Sequence, residues 1–201
     1  MALSHALLTS LLEKSSSGYD LARRFDKSIG FFWHATHQQI YRELARMELA
    51  GWIASSSAPD AGKTRKRIYR ALPTGQAELR RWATEPSPTM DLRDEFMVRL
   101  RADAALGSLG LAPELARRMA LHEEKLALYR DIEQRDFAEP GKLPRAARIH
   151  HMILKKGILY EENSIAWARE MIEMLSEADT GQRKQPVGGA VQLHIGGQLQ
   201  T

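Results

Sequence analysis

No cysteine occurs in the chain. That excludes a disulfide framework, thiolate metal ligation and a cysteine nucleophile, and it fits a cytoplasmic setting. No run of eighteen apolar residues is present, so no membrane-spanning helix is expected. The opening MALSHALLTSLLEK lacks a basic leader region and reads as an amphipathic helix rather than a signal peptide. Catalytic signatures are missing too: there is no G-x-S-x-G, no H-E-x-x-H and no Walker run. Gly62-Lys63-Thr64 lacks the upstream glycine spacing and follows no parallel strand, so it is not a phosphate loop. His150 and His151 are neighbours on a helix and diverge by about 100°. Together with His122, in another helical stripe, they read as core or network histidines rather than a zinc site. No catalytic residue, metal or cofactor is therefore expected.

What is present is an apolar fraction of 43%, enough for a globular core, in a length of 201 residues that allows one or two domains. The net charge of +4 is unevenly spread. Residues 1–90 carry 13 basic and 8 acidic side chains, whereas residues 91–176 carry 14 and 15. An N-terminal part with excess positive charge suits a polyanionic partner.

Periodicity orders the first part as helix, helix, helix, strand, strand, helix. Leu3, Leu7, Leu8, Leu11 and Leu12 mark a helix over 2–13. Ser17 caps a second from Gly18 to about Lys27, and Thr36 caps a third that stops near Gly51. Ile40, Leu44 and Met47 give the third helix one buried stripe. Strands over 52–58 and 64–72 flank a turn at 59–62, and a fourth helix follows Pro73. This is a winged helix-turn-helix by pattern, assigned to residues 1–84. EPSPT opens a linker over 85–91.

The rest is helical: residues 92–106, 113–138 and 145–176. The last helix carries two adjacent apolar series. One is His150, Ile153, Gly157, Tyr160, Ser164, Trp167, Met171 and Met174, spaced as a coiled-coil seam; the other holds Leu154, Ile158, Ile165, Ala168, Ile172 and Leu175. Two seams exceed what one neighbour can cover, so residues 92–176 are expected to form a homodimer. Residues 177–201, rich in Gly and Gln, are expected to be a disordered tail.

With Ile40, Leu44 and Met47 inward, the third helix turns Gln38, Arg42 and Ala45 outward, with Gln39 and Arg46 on one flank and Tyr41 on the other. Gln can pair with adenine and Arg with guanine or a phosphate. Thr36 and His37 stand at the helix N-terminus, where free amides favour a backbone phosphate. Lys63, Arg65, Lys66 and Arg67 cluster at the hairpin, and no acidic residue falls between Asp60 and Glu78. These cations are expected to track the phosphate backbone or enter the minor groove. The expected partner is double-stranded DNA with an inverted repeat. The competing reading is a non-catalytic dimeric scaffold or interaction module, which would show neither specific DNA binding nor strong salt dependence.

Four stretches carry a resemblance: LLTSLLEKSSSGYDLARRF (8–25 with its leading Leu), GFFWHATHQQIYRELARMELAGWI (30–53), KRIYRALPTGQAEL (66–79) and LYEENSIAWAREMIEML (159–175). On these the chain resembles the PadR family of bacterial transcriptional regulators, in its phenolic-acid-regulator-like branch. The resemblance implies a winged helix that binds a near-palindromic operator and a helical domain that dimerises. It implies Ile40 in the core and Tyr41 at the DNA backbone. Where the family often reads Pro-Gly-Ser at the start of the reading helix, this chain has Ala35-Thr36-His37, which keeps a cap. Several members repress genes for detoxifying aromatic acids or drugs, some bind such compounds and a related branch activates transcription, so the resemblance implies a repressor whose operator binding is modulated by a small aromatic or phenolic effector. The expected pocket residues are Phe32, Trp33, Tyr160, Ser164 and Trp167, which combine aromatic walls with hydroxyl groups.

Overall fold

The computed structural model describes residues 2–31, 33–57, 67–87 and 93–182. The chain divides into two compact units, Met1–Asp91 and Leu92–Thr201. The first holds α1 (Ala2–Glu13), β1 (Ser16–Ser17), α2 (Gly18–Asp26), α3 (His37–Leu49), β2 (Ile53–Ser57), β3 (Arg67–Ala71) and α4 (Pro73–Ala83). The expected order is present, with one addition. Ser16 and Ser17, read from sequence as a break that supplies the Ser17 cap and not as a strand, pair antiparallel with Tyr69 and Ile68. The sheet therefore has three strands in the order β1-β3-β2. Ser17 serves twice, since its Oγ also accepts the Asp20 amide at 3.1 Å and caps α2.

Leu7, Leu8 and Leu11 of α1, Leu21 and Phe25 of α2, Ile40, Leu44 and Met47 of α3, and Ile53 of β2 close into one core. Burying each such side chain contributes about 1.5–3 kcal/mol. Gly51, at φ +69°, ends α3. Its amide returns to the Glu48 carbonyl at 3.0 Å and the Trp52 amide to Met47 at 2.9 Å. That is a Schellman closure, open at little cost only to glycine. The Trp52 carbonyl then accepts the Leu72 amide at 2.9 Å. Gly75 of α4 lies so close that an added Cβ would stand 2.3 Å from the same carbonyl oxygen.

Polar contacts fasten α4 to α1. His5, buried, meets Glu78 through Nε2 at 3.0 Å and stacks on Trp82 with ring centroids 4.3 Å apart. Arg81 grips the same carboxylate at 2.7 Å.

The second unit holds α5 (Glu95–Leu106), α6 (Ala112–Asp136) and α7 (Arg145–Gln182). Asp94 caps α5 by accepting the Phe96 amide at 2.8 Å. Phe96, Leu115, Ala168 and Leu175 form the buried centre, with Met119, Met171 and Ile172 packed on it. α7 runs six residues past Ser176, where sequence reading ended it. Glu177 and Ala178 favour helix, and no proline intervenes before Pro186. The rest of the expected tail, 183–201, lies outside the described residues.

Hydrogen bonds from Arg81 and His5 lower the Glu78 carboxyl from 4.5 to about 2. In the second unit Arg117, with Arg118, lowers Glu114 equally, to about 2. A folded-state value below the unfolded one means stability that is complete above about pH 4.5 and lost as pH falls through about 2. The thermal midpoint followed by circular dichroism is expected to drop across that window. Glu78→Gln cannot ionise, so its midpoint should fall less steeply there; an unchanged slope would remove Glu78 from this account.

Candidate nucleic-acid interface

α3 is built to leave one face free. Thr36 caps it by accepting the Gln39 amide at 3.2 Å, and the Gln39 side chain returns the bond by accepting the Thr36 amide at 2.8 Å. This capping box satisfies two of the orphan donors at the helix start. It also engages the oxygen of Gln39, which sequence reading had counted among the free outward groups. His37 leans to Asp26 of α2, Nε2 to Oδ2 at 3.3 Å, with both side chains more than half exposed. Arg46 pairs with Glu43 one turn back, at 3.0 Å. Gln38 and Arg42 are exposed and make no hydrogen bond or ion pair among the described residues. Ala45 and Leu49 continue their stripe, and Leu49 is 89% exposed. Tyr41, half exposed, lays its ring against Gly18 at the start of α2, where an added Cβ would stand 2.5 Å from Cε1.

β2 and β3 pair from Ile53↔Ala71 to Ser57↔Arg67. Lys63, Arg65 and Lys66 lie beyond, outside the described residues. Arg67 is within them, exposed, and its side chain reaches back to the last turn of α3. Its Nη2 reaches both carboxylate oxygens of Glu48 at 3.1 Å. Glu48 also accepts the Ser55 amide at 3.1 Å and the Ser55 hydroxyl at 2.6 Å. Sequence reading passed over Glu48 because its partners stand 7 and 19 residues away, at spacings no helical rule links.

The residues read as an effector pocket fall in both units. Phe32 lies outside the described residues, and Trp33 is 42% exposed in the first unit. On α7, Tyr160 and Trp167 are exposed and Ser164 is half-buried, its hydroxyl donating to the Tyr160 carbonyl at 2.8 Å. Gly157, beside them, has a packing role. The buried Tyr129 ring of α6 lies where a Cβ would be, 2.8 Å from Cε2. One α7 series, Ile158, Ile165, Ala168 and Leu175, is buried, while the other stays exposed at Ile153, Tyr160, Trp167 and Met174.

The histidines join helices. His122 of α6 meets the buried Glu161 of α7 at 2.5 Å, and Lys125 reaches the other oxygen of Glu161 at 3.1 Å. Burial pulls the Lys125 ammonium down, and the Glu161 carboxylate more than offsets it, so its value is raised. His151 of α7 meets Glu133 of α6 at 2.7 Å and stacks on Phe137. No group of three potential metal ligands occurs among the described residues. No described helix is long and apolar enough to cross a membrane.

Three packed helices, an exposed third helix and a strand-pair wing define a winged helix-turn-helix protein with an appended helical unit. Residues 7–81 match the model described as "Transcriptional regulator PadR-like family", and residues 92–176 match "Virulence activator alpha C-term". The "Probable transcriptional regulator Rv1176c" of Mycobacterium tuberculosis is 42% identical over 187 residues, spanning 88% of this chain and 99% of that protein. The Vibrio cholerae virulence activator AphA shares the fold at TM-score 0.73 and 30% identity, over 87% of this chain and 98% of its own. Bacillus subtilis PadR, solved in complex with operator DNA, superposes at TM-score 0.76 and 25% identity, over 86% and 97%. The same protein in complex with p-coumaric acid superposes at 0.71 and 25%, over 88% and 99%. This chain belongs to the PadR-like family of transcriptional regulators, a family of regulators and not of enzymes.

Proposed function

We propose that this protein is a cytoplasmic, homodimeric repressor that binds an inverted-repeat operator and releases it on binding a small aromatic acid. In this reading residues 1–84 bind DNA, 85–91 link, and 92–176 dimerise. The observation that carries it is the outward face of α3. Gln38 and Arg42 are anchored to nothing else among the described residues, while the opposite face is locked in the core. Side chains so placed can present donors and acceptors to base edges. Thr36, His37 and Tyr41 then stand at the backbone, together with Gln39 and Arg46 from their local bonds. Lys63, Arg65 and Lys66 supply phosphate contacts from the wing. The operator complex of the Bacillus relative supports the same use of the fold.

Dimerisation is supported by the second α7 series. Ile153, Tyr160, Trp167 and Met174 remain between 39% and 58% exposed, an apolar stripe on a helix whose other stripe is already covered. A two-fold partner presents the same stripe in return. The effector reading rests on Tyr160, Ser164 and Trp167 along that stripe and on Phe32 and Trp33 in the connector before α3. The p-coumaric acid complex of the relative supports the ligand class.

Replacing Gln38 or Arg42 by Ala is expected to reduce discrimination between a selected operator and random duplex by about 1–3 kcal/mol, with the unfolding midpoint unchanged. Fluorescence anisotropy titrations read this directly, and equal weakening on both duplexes would assign the residue to the backbone instead. Sedimentation at micromolar concentration should give a dimer; a monomer would sink that part of the proposal. Aromatic carboxylic acids should release bound operator from the wild type and not from a folded, dimeric Trp167→Ala variant. Release that is identical in both would place the effector elsewhere.

A further inference from the structure

We propose that Glu48 is a positioning residue that fixes the angle between reading helix and wing and withholds Arg67 from DNA. The inference rests on the DNA-binding reading above. Glu48 stands in the last turn of α3 and accepts from both strands of the hairpin at once. Ser55 of β2 gives its amide at 3.1 Å and its hydroxyl at 2.6 Å, and Arg67 of β3 gives Nη2 to both oxygens at 3.1 Å. Arg67 also donates to the Ser55 hydroxyl and lies 5.8 Å over the Tyr69 ring. One carboxylate thus ties α3, β2 and β3 together where the wing leaves the body.

The site is open, with Arg67 55% and Glu48 30% exposed. An ion pair so exposed adds little stability. Its effect is geometric and electrostatic. Glu48 takes Arg67 through Nη2 alone; the guanidinium donates to carboxylate and phosphate alike, so Glu48 competes with the DNA backbone for that nitrogen. While Glu48 holds it, Arg67 neutralises no phosphate and releases no counterion. A freed Arg67 would grip the phosphates of any sequence equally, which raises random binding more than it helps the operator. Glu48 therefore favours specificity twice, by setting the wing angle and by suppressing a sequence-blind contact. Lys63, Arg65 and Lys66 remain as the phosphate-directed cations of the hairpin.

The test uses the full chain, a duplex that the wild type selects from a random pool, and a shuffled duplex of equal length. Affinity is measured across a salt series for wild type, Glu48→Gln, Arg67→Gln and the double variant. Gln at 48 is isosteric and still accepts the Ser55 amide, and circular dichroism checks the fold of every variant. Arg67→Gln is expected to keep the wild-type salt slope. Glu48→Gln should steepen it by about 0.9 on both duplexes, the increment for one phosphate, and the double variant should restore it. The ratio of selected to shuffled affinity should fall about tenfold in either single variant, the scale of coupling between contacting groups. Flattening by about 0.9 in Arg67→Gln would overturn the proposal, because Arg67 would then grip a phosphate in the wild-type complex. Wild-type slope and ratio in Glu48→Gln would overturn it too. A wild type that retains no duplex fails earlier, before any variant is compared, and defeats the DNA-binding reading along with this one.

Discussion

At the end of α3 the amides of Gly51 and Trp52 turn back onto Glu48 and Met47, and the chain leaves almost in the reverse direction. Most of the first unit is referred to that corner. The Trp52 carbonyl takes the Leu72 amide, and the Gly51 carbonyl takes the Thr74 hydroxyl, so the far end of the hairpin is sewn to the point where the near strand begins. α4 packs against Trp52 at Gly75, closer than any side chain would allow. β2 starts at Ile53, inside the core, and runs back beside the last turn of α3. Only that course brings Ser55 under the Glu48 carboxylate. The corner therefore sets the geometry of α3, the wing and the following helix together.

The second unit relies on a different device. α6 and α7 share a long apolar contact, which fixes which faces meet but tolerates sliding along the axes. Two polar bridges run in opposite senses across it. A histidine of α6 meets a glutamate of α7 at His122 and Glu161, and a glutamate of α6 meets a histidine of α7 at Glu133 and His151. Burying Glu161 costs desolvation that its partners offset, so the bridge is weak evidence for stability. Its use is register: a shift by one turn would strand a carboxylate that is 1% exposed. Tyr129 lying over Gly157 enforces the same alignment by shape.

Much of this was legible in the residues. Caps at Ser17 and Thr36, the stop at Gly51, the buried stripe of α3 and the double seam of α7 are local or periodic features, and the structure follows them. The seam argument anticipated more apolar surface on α7 than one neighbour covers, and Ile153, Tyr160, Trp167 and Met174 stay exposed. What escaped were pairings made by the fold. Ser16–Ser17 is too short to show alternation, and it is a strand only because β3 passes beside it. Gln39 looked like a free surface amide until the capping box used its oxygen, although the Thr-x-x-Gln spacing was a signal. Arg67 looked like one more wing cation, and nothing local revealed that an acid 19 residues earlier would face it. Gly157 stood in the seam with no local sign of its partner, and the Tyr129 ring, 28 residues earlier, lies where its Cβ would be. The placement of Lys63, Arg65 and Lys66 lies outside the described residues.

α3 gives its buried and its outermost stripe different duties. Ile40, Leu44 and Met47 hold it in place, whereas Gln38, Arg42, Ala45 and Leu49 face away and touch none of the core. Mutations on the outer stripe are therefore decoupled from folding, and surface changes of this kind typically move stability by no more than about 0.5 kcal/mol. A duplicated gene could exchange those four residues one at a time, passing only through folded intermediates. Divergence among such paralogues should concentrate on that stripe while the inner three positions drift within a narrow range of volume. With the outer stripe reading DNA as proposed, the helix is an interchangeable key blank, cut on one edge by selection for new target sites and held on the other by the requirement to pack.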